Sequence, residues 1–433
     1  MPFLNRTSLL LLASAAAAAL TAGTASAGSF ALREQSARGQ GQAFAGAAAG
    51  QAGLGSMYWN PATMAAFEGF QVEMNLSGIF PYSDITPTTG TSPFLLGAGG
   101  TASTGDIALD AALPAGYVSY QLDDDIWIGL GLNTPFGLET KNPPNAPGQI
   151  YARTSEVISY NITPTIAWQV NDWLALGAGI EAMYFKTRLT QAMGIMPNAA
   201  SADLQGDSWG VGFTLGFTLT PMDGTTIGVG YRSQIKQSLT GDINFGAPVS
   251  TSLGTLPAGR YDVKSDLTLP DQITVGLSQD LTDDLTLNAG FEWTNWSVFN
   301  NFPVVGTSGI TNGVEITDLP FEYDDGYYVS LGLEYDWTQQ FTIRGGLGYE
   351  WSPISTRNRD LRLPDSNRIH ASIGGSYNWT ENLSLDFAYE HIFTTGDTDI
   401  KLDSDNPHYA GLPYFGDVDS RVDIVSASLR YRF

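Results

Sequence analysis

Hydrophobic side chains recur at every second position along most of this chain, and that period limits the possible fold more than any other feature. Between Trp209 and Thr220 the odd-numbered residues are bulky and apolar, whereas the even-numbered residues are Gly or Thr. Leu383–Glu390 repeats the pattern, with Leu and aromatic residues alternating with Ser, Asp, Ala and Glu. A period of two places alternate side chains on opposite faces of an extended strand. The alternation therefore predicts β-strands with one apolar face.

The connections between these segments alternate in length. Leu122–Asp125, Asn171–Asp172 and Pro221–Gly224 are short, whereas the intervening connections are much longer. A β-sandwich also alternates, but it has no reason to place every long loop at one end, as outer-membrane barrels do. In lipid the sheet must close, because an open edge leaves backbone polar groups unpaired. We therefore predict an all-β fold, a transmembrane antiparallel β-barrel of about fourteen strands over residues 70–433. The segments are centred on 70–80, 115–121, 125–136, 156–170, 173–190, 207–220, 225–240, 264–279, 284–298, 327–336, 340–351, 368–378, 383–393 and 420–433.

The N-terminus has the features of an export signal. Arg6 precedes the apolar stretch Leu9–Leu20, and Ala25-Ser26-Ala27 has the small residues that signal peptidase reads. We predict cleavage after residue 27, so that the mature chain begins at Gly28; a single anchoring helix is the alternative. Beyond this segment no apolar run reaches the ~18 to 20 residues of a membrane-spanning helix.

The C-terminus and the positions of the Trp residues are also typical of an outer-membrane barrel. The last strand alternates back from Phe433, and a terminal Phe resembles the C-terminal signal by which bacterial outer-membrane barrels meet their assembly machinery. Several Trp residues flank the short turns, where an aromatic girdle is expected at the membrane interface. These are Trp127, Trp168, Trp173, Trp337 and Trp379.

Composition excludes several other classes. The chain has 20 Lys and Arg against 44 Asp and Glu, a net charge of −24 without a basic run, which argues against nucleic-acid binding. It has no Cys, which excludes a disulfide framework and a thiolate metal site. We predict no cofactor and no metal. The acidic loop segment Asp397–Asp405 could hold a divalent cation through oxygen ligands, with solvation as the simpler interpretation.

Charged residues on the strands are expected to face the lumen. Arg or Lys on the lipid face near the midplane costs about 2 to 4 kcal/mol, so each strand should turn its charges inward. This rule places Arg232, Lys236, Arg344 and Arg368 in the lumen. They form internal ion pairs, or some of them receive an anionic head group; the sequence leaves both interpretations open.

Residues 28–69 precede the first strand and are the candidate plug of the lumen. A barrel of fourteen strands is wider than its own side chains can fill. The segment is rich in Ala, Gly and Gln, yet it contains Met57, Tyr58 and Trp59, which a solvated tail would not carry. Asn60-Pro61 sets a turn that can order them. We predict a folded hatch inside the barrel, and a flexible exported tail is the alternative.

The whole mature chain resembles the FadL/TodX family of outer-membrane transporters. The resemblance includes the leader, the hatch motif Asn60-Pro61-Ala62 and the fourteen-strand pattern. Further stretches match in order along the barrel: Pro135–Leu138, Ser159–Asn161, Gly206–Gly210, Tyr231–Ser233, Leu269–Asp271, Trp293–Ser297, Trp351–Pro353 and Leu363–Arg368. The resemblance implies a Gram-negative outer-membrane protein, expected to be a monomer. It also implies passive uptake of hydrophobic molecules, long-chain fatty acids or, as the alternative, aromatic hydrocarbons and alkanes.

In that family the ligand lands among the external loops and enters an internal pocket, and a hatch shift with a kinked strand then releases it through the barrel wall. Here the loop near 190–207 offers Met193, Ile195 and Met196 but is shorter than the helical pair expected there. The external binding groove could instead be formed by Phe94, Leu95 and Leu96, or by Ile243 and Phe245. The alternative is that these residues only pack the loops together.

Two rival functions remain open from the sequence. A non-specific porin would share the barrel but not the plug. An outer-membrane lipid hydrolase needs a nucleophilic Ser beside a His base, and the chain has only His370, His391 and His408. No nucleophile elbow accompanies any of the three, so we predict that the protein is not an enzyme.

Overall fold

The computed structural model describes residues 29–100, 102–251 and 254–433, so the predicted leader at 1–27 lies outside the described residues. Fourteen antiparallel strands form a closed barrel, which confirms the predicted fold, and pairing of the first strand with the last closes it. The strands are β1 (Phe70–Pro87), β2 (Ala111–Gln121), β3 (Ile126–Asn133 and Gly137–Lys141), β4 (Thr154–Asn171), β5 (Leu174–Ala192), β6 (Ser201–Met222), β7 (Thr225–Arg232 and Ile235–Phe245), β8 (Gly259–Leu269 and Gln272–Asp280), β9 (Leu285–Thr294), β10 (Gly326–Asp336), β11 (Phe341–Trp351), β12 (Arg368–Asn378), β13 (Leu383–Thr394) and β14 (Tyr414–Arg432).

All tight turns lie at one end of the barrel, together with both termini of the barrel domain. The opposite end carries the long loops, which contain a short helix and several short strands. These elements are α-helix Pro93–Gly99 and strands Val249–Thr251, Gly254–Leu256, Asn301–Gly306, Glu315–Pro320 and Ile400–Leu402. In the part of the chain that the structure covers, every helix is too short or too polar to span a bilayer.

The outward face of the barrel changes from polar to apolar at the membrane boundary. On β6, Trp209 and Val211 are 63% and 70% exposed, although both are apolar. Nearer the loop end, Asp203 and Asp207 occupy the same outward positions of the same strand. Because the strand continues beyond the lipid, β6 begins at Ser201 and not near residue 207 as the alternation predicts.

Four of the five Trp residues of the predicted girdle are about half exposed or more, and they lie beside the short turns. They are Trp168, Trp173, Trp337 and Trp379. Trp127 is different, since it is 3% exposed. Its indole nitrogen donates to the carbonyl oxygen of Phe67 at 2.9 Å. Trp127 therefore anchors the end of the N-terminal segment instead of facing lipid, and that part of the girdle prediction is wrong.

Residues 29–69 lie inside the lumen as a plug. They form α-helix Ala37–Gln40 and 3-10 turns Ala47–Ala49, Gly53–Tyr58 and Pro61–Ala66, which pack against the inner wall. The wall receives them with glycines whose inward side is filled by plug backbone. A Cβ at Gly228 would lie 1.8 Å from the carbonyl oxygen of Ala48. The same close approach explains Gly177, Gly230, Gly276 and Gly346, and at Gly216 the side chain of Asn60 takes the space.

Ion pairs fix the plug to the wall. Arg33 Nη2 lies 2.8 Å from Glu292 Oε1 and 3.1 Å from Glu350 Oε1. Arg38 Nη2 lies 3.1 Å from Glu334 Oε1. Breaking one member of such a buried pair is costly, about 3 to 5 kcal/mol, because it leaves an uncompensated charge. The plug is therefore positioned by specific contacts as well as by shape.

Candidate functional site

An apolar cavity lies in the loop end of the barrel, above the plug. Its volume is about 80 Å³, and its walls are mostly aromatic and aliphatic. β5, β7 and β8 contribute Phe185, Leu239 and Leu267 from their inward faces. Burying an apolar solute here is favourable by roughly 25 cal/mol per Å² of surface removed from water. The lining of the cavity thus suits a hydrophobic ligand.

The aromatic side of this inner cavity comes from the loop between β9 and β10. The ring centroids of Phe299 and Phe302 are 4.5 Å apart, and those of Phe299 and Tyr323 are 5.3 Å apart. Phe30, from the N-terminal segment, completes the cluster with its ring 4.8 Å from that of Trp296. The plug segment therefore supplies part of the cavity wall.

A larger groove of about 660 Å³ opens among the external loops. Met193, Ile195, Ile243 and Phe245 line it, so the structure brings together four of the loop residues that the sequence singled out. The groove and the inner cavity share lining residues, which makes them adjacent compartments. The shared residues are Leu189, Leu204, Leu319 and Arg362.

Other loop candidates do not reach this groove. Phe94 is 69% exposed and Met196 is 68% exposed. Leu95 is 1% exposed and packs with Ile85, Ile107 and neighbouring loop residues. Leu95 therefore belongs to the core that holds the loops together, which the sequence could not distinguish from a binding role.

The barrel wall is interrupted beside β3. Three residues, 134–136, face two on β4, because Asn133 pairs with Asn161 and Gly137 pairs with Ile158. On the other side, pairing between β2 and β3 stops at Gly116 and Leu132. The extra residue bends the strand. Phe136 N–H donates to Ser159 Oγ of β4 at 2.9 Å, and that hydroxyl donates to the carbonyl oxygen of Phe136 at 2.8 Å, so a side chain replaces the backbone ladder there.

The N-terminal segment covers this gap from the lumen. Leu32 N–H donates to the carbonyl oxygen of Pro135 at 2.8 Å, and Gly137 N–H donates to that of Phe30 at 2.9 Å. Ala31 forms an antiparallel bridge with Phe136. Residues 30–32 therefore pair with the backbone of Pro135 and Gly137 and cover the gap from the inside.

The hatch motif Asn60-Pro61-Ala62 contacts the barrel wall through the side chain of Asn60. Asn60 caps the 3-10 turn Pro61–Ala66, with its side-chain oxygen accepting from Ala62 N–H at 3.0 Å. Its side-chain nitrogen donates to the carbonyl oxygen of Ala48 at 2.7 Å and to that of Phe217 on β6 at 2.9 Å. Pro61 starts the turn without needing a donor. Asn60 therefore ties two plug turns to one strand.

Three of the four predicted luminal cations lie inside the barrel and are already paired. Arg232 contacts Glu181 and donates to the carbonyl oxygen of Tyr58 at 3.0 Å. Arg344 Nε lies 2.6 Å from Glu334 Oε2. Arg368 contacts Asp365. These arrangements match the interpretation of an internal ion-pair network, in which Arg232 also holds the plug.

The prediction that Lys236 faces the lumen is wrong. β7 breaks at residues 233–234, and this irregularity shifts the alternation by one position. Ile235 and Gln237 are therefore buried, while Lys236 is exposed on the outer face.

A cluster of buried titratable groups on β11, β12 and β13 lies near Glu34 of the plug. His370 Nδ1 lies 2.7 Å from Glu390 Oε1, and Nε2 lies 3.3 Å from Glu350 Oε2. Glu34 of the plug is 1% exposed nearby. Burial, reinforced by the charge of Glu390, raises the pKa of Glu34 to about 7. The docked plug therefore favours the protonated form of this carboxyl group.

The remaining candidates have structural partners. His391 lies on the outward side of β13, with Nδ1 2.7 Å from Asp423 Oδ1. His408 Nδ1 lies 3.9 Å from Asp360 Oδ2 in the loops. In the acidic loop, Lys401 Nζ is 3.4 Å from Asp399 Oδ2. Among the described residues, no group of three or more His, Asp or Glu side chains has the arrangement of a metal site.

Sequence reasoning missed Arg362 and the aromatic residues at 299–323. Phe299 and Phe302 follow the stretch Trp293–Ser297, which contains two Trp residues. Their position just after the end of a strand was the only local signal. Arg362 stands between Leu361 and Leu363, an apolar setting that is unusual for a solvated loop Arg. Neither feature shows which loops come together, because that depends on barrel closure.

Comparison with known proteins gives consistent matches along the chain. The family model "Outer membrane protein transport protein (OMPP1/FadL/TodX)" matches residues 18–433. Outer membrane protein P1 of Haemophilus influenzae is 27% identical over 421 residues, covering 87% of this chain and 88% of that protein. A long-chain fatty acid transport protein of Escherichia coli is 25% identical over 409 residues, covering 87% and 90%.

Solved structures show the same fold. A Pseudomonas aeruginosa FadL homologue superposes with a TM-score of 0.81 at 23% identity, covering 94% of this chain and 100% of that one. The Ralstonia pickettii toluene transporter TbuX gives a TM-score of 0.70 at 20% identity, covering 93% and 99%. At these identities the likeness concerns the fold alone.

Proposed function

The chain belongs to the OMPP1/FadL/TodX family of outer membrane transport proteins, and we propose that it takes up hydrophobic compounds passively through a gap in its own wall. The compound is captured in the external groove, passes into the inner cavity and leaves sideways past β3. The observation that carries this proposal is the covered gap. Phe30 lines the cavity, and residues 30–32 hydrogen-bond to the backbone of Pro135 and Gly137 at the gap.

The direction of transfer follows from hydrophobic burial. Each buried CH₂ group contributes about 0.8 kcal/mol, so a continuous apolar path from the loops to the bilayer lowers the free-energy barrier that the polar membrane surface imposes. The path ends in lipid, where the compound is more stable than in water. Neither step consumes energy from another reaction.

The proposed cargo is a long-chain fatty acid or a similar amphiphile. Related proteins include long-chain fatty acid transport proteins, and a related fold is named as a toluene transporter. Aromatic hydrocarbons or alkanes are therefore the alternative cargo. The external groove, about 660 Å³, has room for an extended chain before it enters the narrower cavity.

We propose that residues 28–69 act as the hatch whose movement gates release. Only its first residues, 30–32, need to leave β3 to open the side passage. The ion pairs of Arg33 with Glu292 and Glu350 stand immediately after that segment, so they can hold the rest of the hatch while its tip moves. Such a local opening keeps the lumen closed to ions during release.

A disulfide lock tests the side passage. The chain has no Cys, so Ala31→Cys with Phe136→Cys introduces a single pair at an antiparallel bridge. We expect the oxidised double variant to bind labelled oleate but not to deliver it across outer-membrane vesicles, and reduction to restore delivery. Each single variant is the matched control. Undiminished delivery by the oxidised form would rule out this passage.

The same preparation addresses the rival functions. A porin would pass small ions at the same rate whether locked or reduced. A hydrolase would release fatty acid from phospholipid, and that release would disappear on His391→Ala. We expect neither activity in the purified protein.

We also propose that the chain acts as a monomer and that the barrel-assembly machinery reads its C-terminal residue. The side chain of Phe433 is 58% exposed, and its N–H donates to the carbonyl oxygen of Phe70 at 2.9 Å. Phe433 thus sits at the seam between β1 and β14. Phe433→Ala should lower the amount of folded barrel in membranes without changing its activity per molecule.

A further inference from the structure

We propose that Arg362 is a head-group site for an anionic amphiphile, at the neck between the external groove and the inner cavity. This inference rests on the proposed function, since it names the class of compound that the path accepts. The class is single-chain molecules with one carboxylate. Arg362 holds the carboxylate while the tail enters the aromatic cavity.

The first observation is position. Arg362 lines both compartments, and Leu204 and Leu319 flank it in each of them. Arg362 therefore stands where the groove and the cavity adjoin. Leu363, the next residue, lines the inner cavity and packs in its hydrophobic cluster. A head group at Arg362 would have apolar surface directly below it.

The second observation is an unused donor. Arg362 is 8% exposed, yet Nη1 is buried without a hydrogen-bond partner within the described chain. Nη2 donates to Gln191 Oε1 at 2.6 Å. Asp360 Oδ2 lies 3.8 Å from Nε, beyond hydrogen-bonding distance. A buried donor without a partner is costly, and a ligand carboxylate would satisfy it with a charge-assisted hydrogen bond.

The third observation is contrast with the other luminal cations. Arg232 has Glu181 as its partner, and Arg344 has Glu334. Arg33 has unpartnered donors too, but two carboxylates already neutralise it. Lys264 borders the inner cavity but its side chain is exposed. Arg362 combines burial, an open donor and access to the path.

The positive charge at the neck predicts selectivity between head groups. A carboxylate gains the interaction with Nη1, whereas a neutral alcohol of equal chain length gains only the burial of its tail. Burial lowers the pKa of Arg362, with Asp360 acting in the opposite direction, so an added anion would favour the charged form of the guanidinium. The site should therefore prefer acids to alcohols or hydrocarbons.

The test compares hexadecanoate with hexadecan-1-ol, which have the same chain length, on the full-length protein in detergent at pH 8. We expect the wild type to bind hexadecanoate more tightly. Arg362→Met should weaken hexadecanoate binding by about tenfold or more and leave hexadecanol binding within about twofold. The affinity of Arg362→Lys for hexadecanoate should lie between those of the wild type and Arg362→Met, because lysine keeps the charge but lacks the planar donors of the guanidinium.

Lys264→Met is the matched control, since it removes a cation at the cavity wall whose side chain faces away from the path. Retained hexadecanol binding by Arg362→Met shows that the variant is folded. Equal affinity of the wild type for acid and alcohol would overturn the head-group site, as would parallel losses of both in Arg362→Met or no loss of either. Failure of the wild type to bind any of these compounds would instead contradict the proposed function.

Discussion

The carbonyl oxygen of Trp59 occupies the place where a side chain at Gly230 would begin. A Cβ built on Gly230 would lie 1.7 Å from that oxygen, well inside van der Waals contact. Trp59 belongs to the hatch and Gly230 to the inward face of β7. The absence of a side chain in the wall therefore permits direct contact between the hatch backbone and the barrel.

The first prediction follows from this contact. Gly230→Ala should displace the hatch near Trp59, with an overpacking cost of about 1 to 3 kcal/mol. We expect more frequent ion-conducting openings in planar bilayers than in the wild type. Gly345→Ala is the matched control, because its Cβ would lie 3.8 Å from the nearest heavy atom. Equal conductance of the two variants would contradict close docking at β7.

Removal of the hatch should have a larger effect. Deletion of residues 28–64 takes away most of the segment that fills the lumen while leaving β1 intact. A fourteen-strand barrel without its plug leaves a water-filled bore. We expect a stable, continuously open pore in planar bilayers, against a nearly silent full-length protein. A full-length protein that conducts as much as the truncation would favour the porin.

Glu34 should make hatch docking depend on pH. Its pKa is about 7 in the docked hatch and 4.5 in a solvated carboxyl group. Below pH 4.5 the group is protonated in both states, so the docked state keeps its full stability there. As pH rises from 4.5 through about 7, the released hatch loses its proton first and docking weakens. We expect more conducting openings at pH 8 than at pH 5.

The control for this prediction is Glu34→Gln, which keeps the shape of the side chain and removes its titration. Its opening frequency should vary less between pH 5 and pH 8 than that of the wild type. If both proteins show the same pH dependence, another group is responsible, and His370 with its two carboxylate neighbours is the next to examine.

The barrel itself could be predicted because the bilayer imposes a simple pattern. Lipid requires apolar residues at alternate positions, and tight turns separate the strands at one end. Both signals are local, which is why β9 to β13 lie close to the predicted segments. The inward placement of Arg232, Arg344 and Arg368 follows from the same rule.

The pattern fails on β6 and on β7, for different reasons. β6 extends beyond the membrane with Asp203 and Asp207 outward, so its start could not be recognised. On β7 the break at residues 233–234 turned Lys236 outward, and one irregularity of this kind leaves no clear trace in the sequence. The cavity was not predictable, because it joins Phe30, Phe299 and Arg362 from distant parts of the chain.

The central claim is that a hydrophobic compound passes through the inner cavity above the hatch. The most direct measurement is a crystal structure of the full-length protein soaked with a fatty acid that carries iodine at the end of its tail. We predict an anomalous peak for iodine between Leu239 and Phe299, within the apolar cavity. Iodine found only on the lipid-facing surface of the barrel, with the cavity empty, would contradict the account.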